Sequence, residues 1–201
     1  MSREGYFIMK IENTNDIKHY FEFFVQQIED EKLRKTCEEL RNYEDFWTWT
    51  ASKGQHHSFN EGLVVHTLEV IDIAIHTAKL FENCNDDILI TAALWHDLAK
   101  IWDYKKVLDD KGELLYWERA DYHGKVHHIS GSNAEFTVAA VKHGVDRDTI
   151  QKVQHCIISH HGRKEWGSPR VPESIEAIIL HQSDMLSAMY PQHTLALIEE
   201  V

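Results

Sequence analysis

The stretch from Asp86 to Lys100 reads DDILITAALWHDLAK. Its apolar run, Ile88 to Leu94, suits a helix buried in a core, and the two acids before it suit the positive end of a helix dipole. The run does not close on a cap or a glycine. It closes on His96 and Asp97, with Lys100 one turn further on the same face as His96. Titratable groups are costly in an interior unless they are paired or bound to metal. The segment therefore predicts a core helix over 86–100 that delivers a His-Asp pair to a cation.

The rest of the chain supplies more of this chemistry: His66 upstream, and His128, His160, His161 and Asp184 downstream. His66, taken alone on an apolar helix, reads more readily as a packed histidine with one hydrogen bond than as a ligand. Asp184 lies between Ile178-Ile179-Leu180 and Met185-Leu186, where a cation, a Lys or Arg, or a helix dipole would serve as partner. Together, His66, His96, Asp97 and Asp184 form a mixed imidazole and carboxylate set. That set suits Mn, Fe, Co, Ni or Zn ions better than Ca, which favours oxygen ligands throughout. No cysteines cluster, which argues against structural zinc. His128 and the His160-His161 pair could hold a second ion. Two ions about 3.5–4 Å apart, bridged by the two oxygens of Asp97, would favour in-line attack on phosphorus by a water that the cations activate. Lys100 reads either as a solvated charge near a helix end or as a phosphate clamp.

Outward from this stretch, periodicity predicts helices nearly everywhere. The prolines are Pro169, Pro172 and Pro191, all late, so helices can run unbroken before them. One or two amphipathic helices are expected over 15–42, capped by Asn13 or Asn15, then a loop over 43–60. Further helices are expected over 61–81, 130–143, 148–161 and 173–190, with Pro191 ending the last and opening another. Gly144 divides the middle pair, and 162–172 is a loop. Asp109-Asp110-Lys111-Gly112 is a turn signal, and 107–117 reads as a short β-hairpin. The fold class is therefore all-α, a helical bundle with a small β-hairpin insertion. One domain over 1–201 is expected, with an N-terminal helical segment over 1–55 and a core over 56–190.

Composition narrows the functions. The net charge of −12 repels a phosphate backbone and disfavours tight duplex binding, although a metal centre can reverse the potential in one pocket. No apolar run approaches the roughly 18 residues of a membrane span, and Met1 to Lys10 lacks a signal-peptide pattern. Cys37, Cys84 and Cys156 read as reduced packing thiols of a cytoplasmic protein. The 15 histidines form no run longer than two, so they are not a tag. A homo-oligomer is compatible with all of this.

The ordered set His66, His96-Asp97, Asp184 resembles the HD-domain metal-dependent phosphohydrolases. The segment HHSFNEGLVVHT, His56 to Thr67, is similar to the opening of the HD domain in YhaM-type 3′–5′ exoribonucleases. So are Ser159-His160-His161-Gly162, Gly167-Ser168-Pro169 and the stretch from Glu176-Ala177 through His181 to Asp184. The likeness covers 56–189. It implies a helical HD fold and phosphoester hydrolysis. It also implies His66, His96, Asp97 and Asp184 as ligands of a first ion, and His128 and His160 as ligands of a second, with His161 beside them. Lys100 matches the lysine of the extended His-Asp-x-x-Lys motif. Ala99 stands where that motif usually has glycine, and Asn60-Glu61 where a small residue is commoner. Exoribonucleases of this type carry an added OB-type domain, whereas the residues before His56 read as helical. A stand-alone hydrolase of nucleotides or short oligonucleotides is the expectation.

Asp97, Lys100 and His161 are accordingly the catalytic candidates, and His57, Arg163 and Lys164 the substrate-binding ones. Trp166 could stack a base or cover the core edge, and His123 and His127 are candidates for proton transfer. His19, His76, His143 and His193 read as surface or satisfied residues. Two other functions share the ligand set: a di-iron HD-type oxygenase, and a non-catalytic HD module that binds a nucleotide.

Overall fold

In the computed structural model, residues 9–190 are described. Eight α-helices, three short 3-10 helices and one two-stranded antiparallel sheet make up the regular structure of that span. The helix expected after Pro191, and His193, lie outside it.

The N-terminal segment is built from α1 (Thr14–Gln26), α2 (Glu31–Glu38) and α3 (Glu44–Thr48). Asn13 caps α1 in a reciprocal box with Asp16, which satisfies amide donors that a helix start leaves free. The chain breaks between α1 and α2 because Asp87 captures the amides of Glu29 and Asp30, each at 2.8 Å. A 3-10 turn, Glu39–Asn42, follows α2. The expected 43–60 loop is thus part helix. Phe46 of α3 is buried, and Trp47 packs edge-on against Phe21.

Helices α4 (Gly62–Ala78) and α5 (Asp86–Trp95) form the centre, and α8 (Ile175–Met189) packs on both. α7 (Arg147–Ser159) packs on α5, and α6 (His128–Lys142) on α7. From Ile88 to Trp95 every residue is buried. One continuous apolar core joins Phe21, Phe24, Leu33 and Phe46 to Leu68, Leu94, Ile157 and Leu180. Gly62 opens α4 where its backbone meets the carbonyl of His57 so closely that no Cβ would fit. Cys37 and Cys156 are buried, and burial pushes both thiols up to about 12, so they act as packing groups.

The main correction lies in the decisive stretch. The helix expected over 86–100 ends at Trp95, His96 caps it, and Asp97 adopts φ −114°, ψ 4°. A 3-10 helix, Leu98–Trp102, continues from there. The apolar pattern runs through Leu98 and Ala99, but the hydroxyl of Ser132 on α6 takes the amide of Ala99 at 3.0 Å. That bond replaces the ladder bond of a continuing α-helix. The hairpin is also longer than expected: β1 (Tyr104–Leu108) pairs with β2 (Leu114–Arg119). The Trp49 indole N–H donates to the Tyr104 carbonyl at 3.1 Å and anchors the start of β1. α6 begins two residues earlier than expected, with His127 accepting the Ile129 amide.

Candidate metal centre

Five elements bring the candidates together. His66 comes from α4, His96 and Asp97 from the end of α5, His128 from the start of α6, His160 from the end of α7 and Asp184 from α8. His66, His96 and His160 have no solvent exposure, and Asp97 has 1%. His66, His96, Asp97 and Asp184 offer ligand atoms within 4.8 Å of one another, as do His128, His160 and His161.

Asp97 stands between the two groups. Its Oδ2 faces His66 Nε2 at 3.4 Å and His96 Nε2 at 3.3 Å. Its Oδ1 faces His128 Nε2 at 3.5 Å and His160 Nε2 at 3.6 Å. Asp184 Oδ1 completes the first group, 3.2 Å from His66 Nε2. His66 Nε2, His96 Nε2, His160 Nε2 and Asp97 Oδ1 are buried without a hydrogen-bond partner. Leaving so many buried polar atoms unsatisfied is costly, and a pair of divalent cations would satisfy all of them.

The far nitrogen of each ring sets where the near one points. His96 Nδ1–H donates to the Ala93 carbonyl and His160 Nδ1–H to the Ile157 carbonyl, both at 2.7 Å. A carbonyl can only accept, so both rings are Nδ1–H tautomers with a free Nε2 lone pair. The two histidines use one device: each sits at a helix C-terminus and fills a carbonyl that the last turn leaves free. His128 Nδ1 lies 3.3 Å from Asp103 Oδ2, whose other oxygen lies 3.5 Å from His123 Nδ1.

His66 is held through a longer relay. The Ser187 hydroxyl donates to Glu69 Oε2 at 2.8 Å, so its oxygen accepts from His66 Nδ1–H at 3.0 Å. Glu69 Oε2 also lies 3.1 Å from His57 Nε2. Such outer partners typically hold about 10–100-fold in metal affinity. Ser187→Ala is therefore expected to weaken metal binding by about that factor, read by competition with a chelating dye, with helix content unchanged by circular dichroism. Unchanged affinity would mean that the relay does not orient His66.

The electrostatics suit a cation. Burial alone would raise the Asp97 carboxyl, but the Lys100 ammonium beside it holds it well below the usual range. Asp184 is also held low, because His66 outweighs its burial. Burial depresses His128 to about 4 and His161 to about 3, so both are neutral at pH 7 with lone pairs available. Burial would lower His66 too, but Asp184 and Asp97 raise it. Lys100 Nζ sits 2.5 Å from Asp97 Oδ2. Two carboxylates against one ammonium leave the pocket anionic.

Other sequence candidates lie elsewhere. His57 is fully buried behind His66, against Glu69, rather than on an open face. Arg163 and Lys164 are exposed on the loop after α7, where the Arg163 guanidinium lies 4.8 Å from the centroid of the Trp166 ring. His161 Nδ1–H donates to the Trp166 carbonyl at 2.7 Å, and its Nε2 lies 3.3 Å from His128 Nε2. His123 is engaged by Asp103, and His127 by the start of α6. His76 and His143 are satisfied, by the Asp72 carbonyl and by Glu39. Sequence reasoning missed His56, Glu69, Asp103 and Ser187. The His56 ring lies 5.1 Å from that of His66, and burial followed by the charges of His66 and Lys100 depresses it to about 3.

Among the described residues, no helix is long and apolar enough to cross a membrane. No solved structure matches the chain significantly. The chain is 34% identical over 156 residues to the 3′-5′ exoribonuclease YhaM of Bacillus pumilus (strain SAFR-032), covering 77% of this chain and 48% of that protein. It is 31% identical over 182 residues to the protein of that name from Listeria monocytogenes serotype 4b (strain CLIP80459), covering 90% and 55%. With the Bacillus subtilis (strain 168) protein the identity is 34% over 144 residues, covering 72% and 44%. The chain thus spans about half the length of the curated relatives it matches. The HD domain family pattern fits residues 63–189, which hold every residue of the two ligand groups built around Asp97. The chain belongs to the HD domain family.

Proposed function

We propose that this chain is a divalent-metal-dependent phosphohydrolase that cleaves phosphoester bonds of nucleotides or short single-stranded oligoribonucleotides. The observation that carries this reading is the placing of Asp97, whose two oxygens each face a separate group of buried imidazole lone pairs. In this reading His66, His96, Asp97 and Asp184 hold one ion, and Asp97, His128 and His160 a second. The core over 56–190 carries the site, and the segment before it completes the packing.

Ions held there supply a nucleophile from water at neutral pH and neutralise charge on phosphoryl oxygens. The protein's own groups do the rest. Lys100 balances Asp97 and presents a fixed positive charge at the pocket, where a phosphoryl oxygen gains negative charge. His161 keeps its Nδ1 proton on the Trp166 carbonyl, so its Nε2 acts as a lone pair beside His128 rather than as a proton donor. Arg163 and Lys164 stand on the adjoining loop as exposed cations for the substrate's other phosphates. His57 supports His66 from behind through Glu69.

The relatives' printed name favours RNA as the substrate class. The overall charge of −12 favours short, flexible strands over duplexes. The test is to strip the protein with a chelator and reload it separately with Mn, Fe, Co, Ni or Zn. Metal content is read by mass spectrometry, and hydrolysis with a labelled oligoribonucleotide, cyclic nucleotides and mononucleotides. Hydrolysis should vanish on stripping and return on loading. A fully loaded protein that cleaves none of these would overturn the reading. Turnover only with iron and oxygen would replace it with oxygenase chemistry.

A further inference from the structure

The Oδ1 side of the centre holds one imidazole more than the ligand sets above use. His128, His160 and His161 all offer ligand atoms within 4.8 Å of one another. We propose that His161 is a third imidazole ligand of the ion on this side. That side then offers three nitrogens and one oxygen, beside a neighbour that offers two of each. The inference rests on the two-ion reading for the presence of the ion, and on the hydrogen bonds of His161 for its own part.

The ring protons decide where the lone pairs point. His161 Nδ1 lies 2.7 Å from the Trp166 carbonyl, which can only accept, so the proton sits there and Nε2 carries a lone pair. His128 turns Nδ1 to the Asp103 carboxylate at 3.3 Å, and the same reasoning leaves its Nε2 bare. His160 is bare at Nε2 through its bond to the Ile157 carbonyl. His128 Nε2 and His161 Nε2 nevertheless face each other at 3.3 Å. Two lone pairs repel at that distance unless a positive species lies where they converge. A base meant for a substrate proton would turn its lone pair to open space, whereas that of His161 turns to the other donors.

The spacing suits an ion. Donors about 2.0–2.1 Å from one cation at tetrahedral angles lie roughly 3.3–3.4 Å apart. His128 Nε2 stands 3.3 Å from His161 Nε2 and 3.5 Å from Asp97 Oδ1, and His160 Nε2 stands 3.6 Å from Asp97 Oδ1. His161 is also aimed firmly, by a turn rather than a helix. The Gly162 amide donates to the Ser159 carbonyl at 2.7 Å, and the Arg163 amide to the His161 carbonyl at 3.0 Å. Gly162 has φ +79°, and the His181 ring occupies the space its Cβ would need. The Trp166 amide donates to the Arg163 carbonyl at 3.1 Å, which fixes the carbonyl that orients His161. A side so rich in imidazole suits Fe, Ni or Zn better than Mn, which prefers oxygen.

The test uses cobalt, whose unpaired electrons shift the ring N–H protons of coordinated histidines far outside the ordinary proton NMR range. Metal-stripped protein is titrated with Co to saturation. The wild type should show exchangeable shifted signals from His66, His96, His128, His160 and His161. His161→Ala should lack one of these signals and keep the rest. It should bind its first Co as the wild type does and its second at least about 100-fold more weakly, because a direct ligand holds more than outer partners do. His161→Phe, which fills the same space without a lone pair, should behave the same way, and circular dichroism checks that both variants fold. Folded variants that keep the second Co at wild-type affinity, or that show the same shifted signals as the wild type, would overturn the assignment. The two readings fail separately. Hydrolysis by a protein whose second ion ignores His161 removes the ligand alone. A His161-dependent second ion in a protein that hydrolyses nothing removes the phosphohydrolase alone.

Discussion

Asp97→Ala is expected to remove both ions and to lower phosphoester hydrolysis by at least about 10³-fold. The reason is geometric. Asp97 alone presents an oxygen to each ligand group, so in the two-ion reading proposed above one truncation would empty both sites. The electrostatics act in the same direction. Without Asp97 the pocket retains the Asp184 carboxylate against the Lys100 ammonium, and its negative excess is gone. Lys100, buried and raised above its ordinary value by Asp97 and Asp184 in spite of its burial, would lose the nearer of them. Metal analysis and an oligoribonucleotide assay on purified protein check this, with circular dichroism to show that the bundle persists. Retention of one tightly held ion with full activity would sink the bridging role.

His160→Ala should give a different result. It removes a ligand from the Oδ1 side alone and leaves His66, His96, Asp97 Oδ2 and Asp184 as they are. One ion should remain per chain, with affinity little changed, while hydrolysis falls by about 10²–10³-fold because one of two charges stabilising the reacting phosphate is lost. Stoichiometry separates this from general damage, since a misfolded protein would lose both ions. Loss of both ions in a folded His160→Ala protein would show a single shared site rather than two neighbouring ones.

Much of the architecture is legible in the sequence because buried helices leave a periodic apolar trace, as 63–78 and 88–95 do. The turn at Asp109 to Gly112 is legible for the same kind of local reason. The end of α5 is not. Leu98 and Ala99 continue the apolar pattern, and only a hydroxyl 33 residues further on, Ser132, stops the helix. α3 is too short for periodicity to mark it. The candidate ligands are legible as unpaired titratable residues in apolar runs, and the structure brings six of them around Asp97 and its neighbours. Their supports are harder to read. Ser187 meets His66 across 121 residues of chain, and Asp103 adjoins an ordinary turn. Glu69 did leave a signal, an acid on a largely apolar, buried helix three residues after His66. His57 reads in the sequence as a substrate-binding residue because its segment reads as a loop, and its buried place against Glu69 depends on a contact with the next helix.

The way His96 and His160 are fastened has a consequence for metal choice. Each ring is pinned by a carbonyl of its own helix, so its aim is settled before any ion arrives. An incoming ion then has little disorder to quench, and little of its binding free energy is diverted into arranging the donors. A rigid cage of this kind cannot reshape itself around whichever cation is most abundant. Discrimination between ions must then come from ionic radius and from the ratio of nitrogen to oxygen donors that the two helix ends and the acid between them present.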